Sequence, residues 1–202
     1  MLEFIKNIDL EFFLFLNGLH ADWADTFFYI ITNTFFWIPL YLLVTGLIIA
    51  RWKKKSVIIL LFMVLTVFFT DQSCNFLKRT IKRLRPSHDV ELAEKIHLVT
   101  KPDGDFYRGG RFSFPSGHAA NSVILVYFFG FFVRTRKKWP LILMMLWPLL
   151  FSYSRIYLGV HYPFDILAGF ILGSCLSLLF IFITMKIIRP TPKEENYSCT
   201  IN

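Results

Sequence analysis

Charge is scarce in this chain. Charged residues make up 18% of the 202, against 55% hydrophobic and 18% aromatic, and the mean hydropathy is +0.52. That leaves too little polar material to coat a soluble domain of this length, so the composition points to one membrane-embedded unit. Cysteine is scarce as well. Cys74, Cys175 and Cys199 are odd in number and scattered, two of them in apolar runs, and indicate neither a disulfide framework nor a metal cluster. The N-terminal stretch lacks the uninterrupted apolar core of a cleavable leader, because Glu3, Lys6, Asp9 and Glu11 break it up. Internal repeats, linkers and low-complexity tracts are also missing. What is abundant is phenylalanine, at 24 copies, a side chain with no polar atom to satisfy in lipid. The net charge of +8 would suggest nucleic acid as the partner of a soluble protein. Here the basic residues cluster at the ends of apolar runs, which suits membrane topology and anionic head groups instead.

Hydropathy predicts an all-α polytopic bundle of five spanning helices, over residues 27–50, 56–77, 116–133, 140–158 and 163–185. Each lies near the ~20 residues that cross a hydrocarbon core ~30 Å thick. The fourth carries Pro148, which should kink it. Before them, Ile5, Ile8, Phe12, Phe15, Leu16 and Leu19 fall on one face of a helix over residues 2–19. That segment is expected to lie amphipathically in the interface, with a sixth crossing as the competing reading. Residues 1–190 thus form one domain, and the Pro-bearing polar tail 191–202 is expected to be disordered. The one long polar stretch, residues 78–115, contains Asp103-Gly104 and Gly109-Gly110 turn signals in its middle, 87–111. Long loops of that kind often act as lids.

Counting crossings brings three polar groups to one membrane face: Lys78, Arg85 and Pro86; Pro115, Ser116, Gly117 and His118; and Ser154, Arg155, His161 and Asp165. Ionisable residues at membrane helix ends point to function by default. The opposite face has the short basic loops Arg51–Lys55 and Arg134–Lys138, which should be cytoplasmic, so the polar groups face outward.

The spacing His161-x-x-x-Asp165 sets the two side chains one helical turn apart. A carboxylate on one ring nitrogen fixes the tautomer and leaves the other nitrogen free as a nucleophile. Taken alone, a structural His–Asp pair explains that spacing as well. Ser116-Gly117-His118 opens a helix behind Pro115, and a helix start offers free N–H groups to a phosphate; an ordinary capped helix would use Ser116 in the same way. Lys78, Arg85 and Arg155 supply fixed positive charge, which fits phosphoryl transfer, where positioning and electrostatics dominate. Three such cations could take the place of magnesium, so neither a metal nor another cofactor is expected. Arg79, Lys82 and Arg83 fit an interfacial basic patch better. His20, His88 and His97 read as interfacial or loop histidines. Asp71, inside the second helix, should have a cationic partner, either Lys78 or Arg155.

Lys78-x6-Arg85-Pro86, Pro115-Ser116-Gly117-His118 and Ser154-Arg155-x5-His161-x3-Asp165 together resemble the three-part signature of the type 2 phosphatidic acid phosphatase superfamily, with no departure at any signature position. The resemblance implies a membrane lipid phosphatase. His161 would be the nucleophile, Asp165 its orienting partner, and His118 the group that protonates the leaving oxygen and then activates water. Lys78, Arg85, Ser116, Gly117 and Arg155 would hold the phosphoryl oxygens; Ser154 has no evident chemical role. The implied substrate is a membrane lipid phosphate or diphosphate: an isoprenoid diphosphate, phosphatidylglycerophosphate, phosphatidate or a phosphorylated outer-membrane glycolipid. The small five-helix frame looks most like that of undecaprenyl diphosphate phosphatases. Vanadate-dependent haloperoxidases share such a site but are soluble, and a non-enzymatic lipid binder or flippase would not need two histidines.

Overall fold

The computed structural model describes residues 2–133 and 137–188, which form seven α-helices and no strand. The expected tail at 191–202 and part of the basic loop Arg134–Lys138 lie outside the described residues.

Helix α1, Leu2–Gly18, is amphipathic with its apolar face turned outward. Ile5, Ile8, Phe12 and Phe15 are exposed, whereas Asp9, Phe13 and Asn17, each one turn apart, are buried. The polar side of α1 is therefore its docking side. Asn17 donates to the carbonyls of Ile156 and Tyr157 at 3.1 and 2.9 Å and accepts the His97 N–H at 2.8 Å.

The helix expected over 27–50 is two helices, α2 (Asp22–Ile31) and α3 (Ile38–Trp52), joined by a 3-10 turn at Thr34–Trp37. Asn33 causes the break. It is extended, and its side chain accepts the Phe35 N–H, an alternative to continuing the helix. The Trp37 indole closes the corner by donating to Ile31 O at 2.7 Å. Pro39 then enters the first turn of α3, where a missing N–H costs nothing. Helix α4, Ser56–Ile81, runs one turn further than expected, so Lys78 belongs to its last turn, and Lys82 ends it in the left-handed conformation.

Helix α5, Gly117–Phe128, continues as a π turn over Phe129–Val133. Helices α6 (Trp139–Tyr157) and α7 (Pro163–Ile188) follow. By length and composition Thr34–Ile81, which holds α3 and α4, and also Trp139–Tyr157 and Pro163–Ile188 are apolar enough to cross a membrane; Gly117–Val133 is a shorter apolar helix. Apolar side chains such as Leu42, Leu61, Phe68, Leu143, Ile171 and Phe182 stand exposed on their outer faces, as lipid contact requires.

Helices α5 and α7 pack backbone to backbone. A Cβ at Gly169 would run into Ser116 O, and one at Gly173 into Ala120 O. This small-residue seam, continued by the buried Ser177, follows the close-approach rule for helices in membranes. The main core joins α3 to α7 around Ile48, Ile59, Ile124, Phe128 and Phe132. Two smaller clusters, around Phe13, Ile156 and Tyr162 and around Val99, Tyr157 and Val160, fasten α1, α2 and the long loop to one end of the bundle.

Candidate active site

That end holds the starts of α5 and α7 side by side. The Ser116 N–H donates to Asp165 O at 2.9 Å, so the α5–α7 seam fixes one helix start against the other. Ser116 is fully buried and caps α5 by accepting the Ala119 N–H at 3.4 Å. Beside Gly117 the space that a Cβ would occupy is open.

The α6–α7 link carries His161 and the first turn of α7 carries Asp165, both buried. His161 Nδ1 stands 3.5 Å from Asp165 Oδ2 without hydrogen-bond alignment. Asp165 Oδ2 also accepts the Tyr162 N–H at 2.9 Å. The carboxylate thus sits on the Nδ1 side of the ring, away from Nε2. Burial first, then the charges of Arg85, Arg155 and Lys78, holds the His161 imidazole well below its ordinary value of 6.5. The link turns at Gly159, where φ is +67° and a Cβ would meet the Leu98 side chain. The Gly159 carbonyl accepts the Ser87 N–H, which fastens the loop segment carrying Arg85.

Lys78, Arg85 and Arg155 act electrostatically on both His118 and His161, and among the described residues none of the three ion-pairs with a carboxylate. Arg85 donates through Nε to Phe112 O at 3.1 Å, while its buried Nη1 has no partner. A Cβ at Gly109, where φ is +64°, would strike that Nη1. Burial, then the Arg155 charge, pushes the Arg85 guanidinium down to about 10. Arg155 donates through Nη1 to Thr32 Oγ1 and to Tyr107 OH, the latter at 3.0 Å, and its buried Nε has no partner. A buried donor left unpaired costs ~1–3 kcal/mol, more when charged. Two such guanidiniums, close enough to act on each other and each with a buried donor to spare, suit an anion.

His118 lines two cavities. The first, about 260 Å³, is bounded by Lys78, Gly117, Asp71, Asn121 and Ser122 among others. The second, about 300 Å³, is bounded by Tyr29, Thr32, Asn33, Thr34, Phe35 and Tyr107. Both cavities mix hydroxyl, phenol and amide groups and share Thr34; the first adds Lys78 and Asp71, and the second has Arg155 bonded to its wall through Thr32 and Tyr107.

Several sequence expectations need revision. Arg83 is no surface patch residue: it donates to Asp165 Oδ1 at 2.9 Å and to Asp9 Oδ2 at 2.7 Å. Only the α1 periodicity Asp9-Phe13-Asn17, opposite the apolar stripe, could have signalled that a carboxylate points inward there. Arg79 and Lys82 are exposed, as a patch would be. Asp71 accepts from Asn121 Nδ2 at 2.8 Å rather than pairing with Arg155, though it shares a cavity with Lys78. Ser154 bonds back to Phe151 O within its own helix and is structural. His97 pairs with Asp25 at 2.8 Å and stacks on His20 at 4.0 Å, which ties the loop to α2. His88 lies against Gly109 O.

Comparison with known proteins places this arrangement. The profile of the PAP2 superfamily matches residues 55–189. The chain is 38% identical to a lipid A 4'-phosphatase of Bacteroides thetaiotaomicron over 93% of this chain and 81% of that one. It is 31% identical to an undecaprenyl-diphosphatase of Sulfolobus acidocaldarius, over 88% and 75% respectively. Its fold is similar to the crystal structure of a transmembrane PAP2-type phosphatidylglycerolphosphate phosphatase from Bacillus subtilis, with a TM-score of 0.69 and 25% identity, over 93% of this chain and 89% of that one.

Proposed function

The chain belongs to the PAP2 superfamily of membrane lipid phosphatases, and from that membership we propose that it removes a phosphate monoester from the sugar head group of a membrane glycolipid through a phosphohistidine at His161. Lys78, Arg85 and Arg155, with the helix start at Ser116 and Gly117, hold the phosphoryl oxygens. His161 Nε2 attacks phosphorus and the P–O ester bond breaks, as His118 gives its proton to the departing oxygen. His118 then takes a proton from water, whose oxygen attacks phosphorus and breaks the P–N bond, releasing inorganic phosphate. Asp165 balances the positive ring that carries phosphorus in between.

The observation that carries the substrate reading is the hydroxyl-rich cavity that His118 shares with Tyr29, Asn33 and Tyr107. A leaving sugar needs hydrogen-bonding and aromatic partners, and Tyr29, Tyr107, Asn33, Thr32 and Thr34 offer them. A leaving phosphate, as in a diphosphate, would need free cations there, whereas the Arg155 Nη1 at that wall is engaged by Thr32 and Tyr107. Similarity to a lipid A 4'-phosphatase points the same way and away from the undecaprenyl diphosphate expectation. The second reading, an isoprenoid diphosphate, is favoured by similarity to an undecaprenyl-diphosphatase. We also read the chain as one unit over residues 1–190 with five crossings in a cell membrane, the site facing outward and α1 lying in the interface.

Phosphate release from purified lipid phosphates separates the readings. A phosphorylated acyl-glucosamine disaccharide should exceed undecaprenyl diphosphate in kcat/KM. Tyr29→Phe should lower the ratio of the two by about tenfold, the loss expected when a substrate hydroxyl loses a partner. A ratio that favours the diphosphate and ignores Tyr29→Phe would select the second reading.

A further inference from the structure

The Asp9–Arg83–Asp165 chain crosses three parts of the fold: α1, the loop after α4, and the start of α7. Asp9 and Asp165 are 1% and 0% exposed at the side chain, with Arg83 between them. The guanidinium lies flat on the Tyr162 ring, 3.8 Å from its centre, and the Arg83 carbonyl accepts the Ser113 N–H at 2.8 Å. The second oxygen of Asp9 accepts the Phe164 N–H at 2.9 Å. Asp9 therefore grips the start of α7 at two points, once directly and once through Arg83.

We propose that Asp9 and Arg83 are positioning residues for the hydrolytic reaction: Arg83 holds the Asp165 carboxylate against His161, and Asp9 absorbs enough of the Arg83 charge to leave Asp165 negative toward the imidazole. The proposal rests on the reading of His161 as nucleophile.

The electrostatic argument is a count. One guanidinium against one carboxylate would be a closed ion pair, with little negative charge left for a neighbouring ring. Two carboxylates on one guanidinium leave a net negative charge, and on the Asp165 side it falls on His161, alongside the Tyr162 N–H and Ser113. A phosphohistidine ring is cationic, so that residual charge stabilises the intermediate more than the resting site. The other charged or titratable groups around Asp165 are Arg85 from the loop and Tyr162 from the link, with Ser113 as a hydrogen-bonding neighbour. Asp9 itself is raised from its ordinary 3.8 by burial and, in smaller part, by Asp165, while the Phe164 N–H and Arg83 oppose that rise. Without Arg83 the two carboxylates would face each other directly, and like charges that close cannot both stay ionised without cost.

The test uses the full chain in detergent micelles, with p-nitrophenyl phosphate as the probe, and measures kcat and KM against pH. Arg83→Met should lower kcat about 100-fold, the scale of a misplaced catalytic group, with KM within about twofold. Its acid limb should move to higher pH, because the Asp9–Asp165 repulsion favours a shared proton. Adding Asp9→Asn should restore about tenfold of the lost kcat and return the acid limb toward the wild-type position, a coupling between contacting residues. Asp9→Asn alone keeps an acceptor for the Phe164 N–H and should still lower kcat.

Losses that simply add, or an acid limb that does not move, would make Arg83 a structural pin and overturn the proposal. Where Arg83→Met yields no folded protein, Asp9→Asn decides: unchanged kcat overturns the proposal, and reduced kcat at constant KM that Asp9→Glu rescues supports it. His161→Ala runs alongside. Activity retained there overturns the phosphohistidine reading together with this one, whereas an inactive His161→Ala with additive Asp9 and Arg83 losses overturns this one only.

Discussion

A residue's neighbours, more than its type, decide what it does at this site. Five histidines are present, and His161 is the one buried near three cations that ion-pair with no carboxylate among the described residues. Because its ring is held below its ordinary value, it stays neutral, and so nucleophilic, into mildly acidic solution. The expected outcome is a His161 protonation midpoint below pH 6.5, read by ring NMR of labelled protein in micelles. Arg85→Gln removes one opposing charge and should move the midpoint upward; a wild-type midpoint at or above 6.5 would contradict the burial argument. The histidines and Asp165 were legible in the sequence because their spacing is local. Arg83 was not. It sits among Arg79, Lys82 and Arg85, and nothing in residue type separates the cation that reaches Asp9 from Arg79 and Lys82, which reach water. Its partner lies 74 residues away in sequence, on a helix whose polar face reads as solvated until it is seen to be the docking side.

Helices set the distance between the two imidazoles of the proposed site. His118 and His161 belong to different elements, and the seam of Gly169 and Gly173 against Ser116 and Ala120 brings their two helix starts together. Gly173→Val would force α7 away from α5. Overpacking of this kind costs ~1–3 kcal/mol, so the variant should show a lower thermal midpoint in detergent and reduced kcat. Gly46→Ala, where a Cβ meets open space, should leave both within error. Helix identity was legible from hydropathy for α4 to α7. The break at residues 32–37 was not, because Phe27–Ala50 is apolar across the Asn33 cap, and one asparagine outweighs a hydrophobic count only when its side chain finds the Phe35 N–H. That break matters to the site: it places Thr32 beside Arg155 and lets Tyr29 and Asn33 face His118.

At the scale of the whole molecule, the bundle has a basic end and a site end. Helix α4 joins them, with Lys53, Lys54 and Lys55 before its start and Lys78 in its last turn. Its 26 residues rise ~1.5 Å each, enough to span the hydrocarbon layer. In a chain cleared of native cysteines, Asp103→Cys at the loop tip should react with an impermeant maleimide on intact cells, and Lys54→Cys only after permeabilisation; the reverse pattern would turn the site inward. The long loop, which sequence alone left free to be a lid, is pinned through Ser87, His97 and Val99. Its Tyr107 takes part in the site wall by holding Arg155. The cluster of guanidiniums with spare N–H groups has one more consequence. It attracts any small oxyanion, not only the ester, so the ion set free by each turnover competes with the next lipid for the same cradle. Flux through such an enzyme then depends on how quickly the surrounding medium carries that ion away.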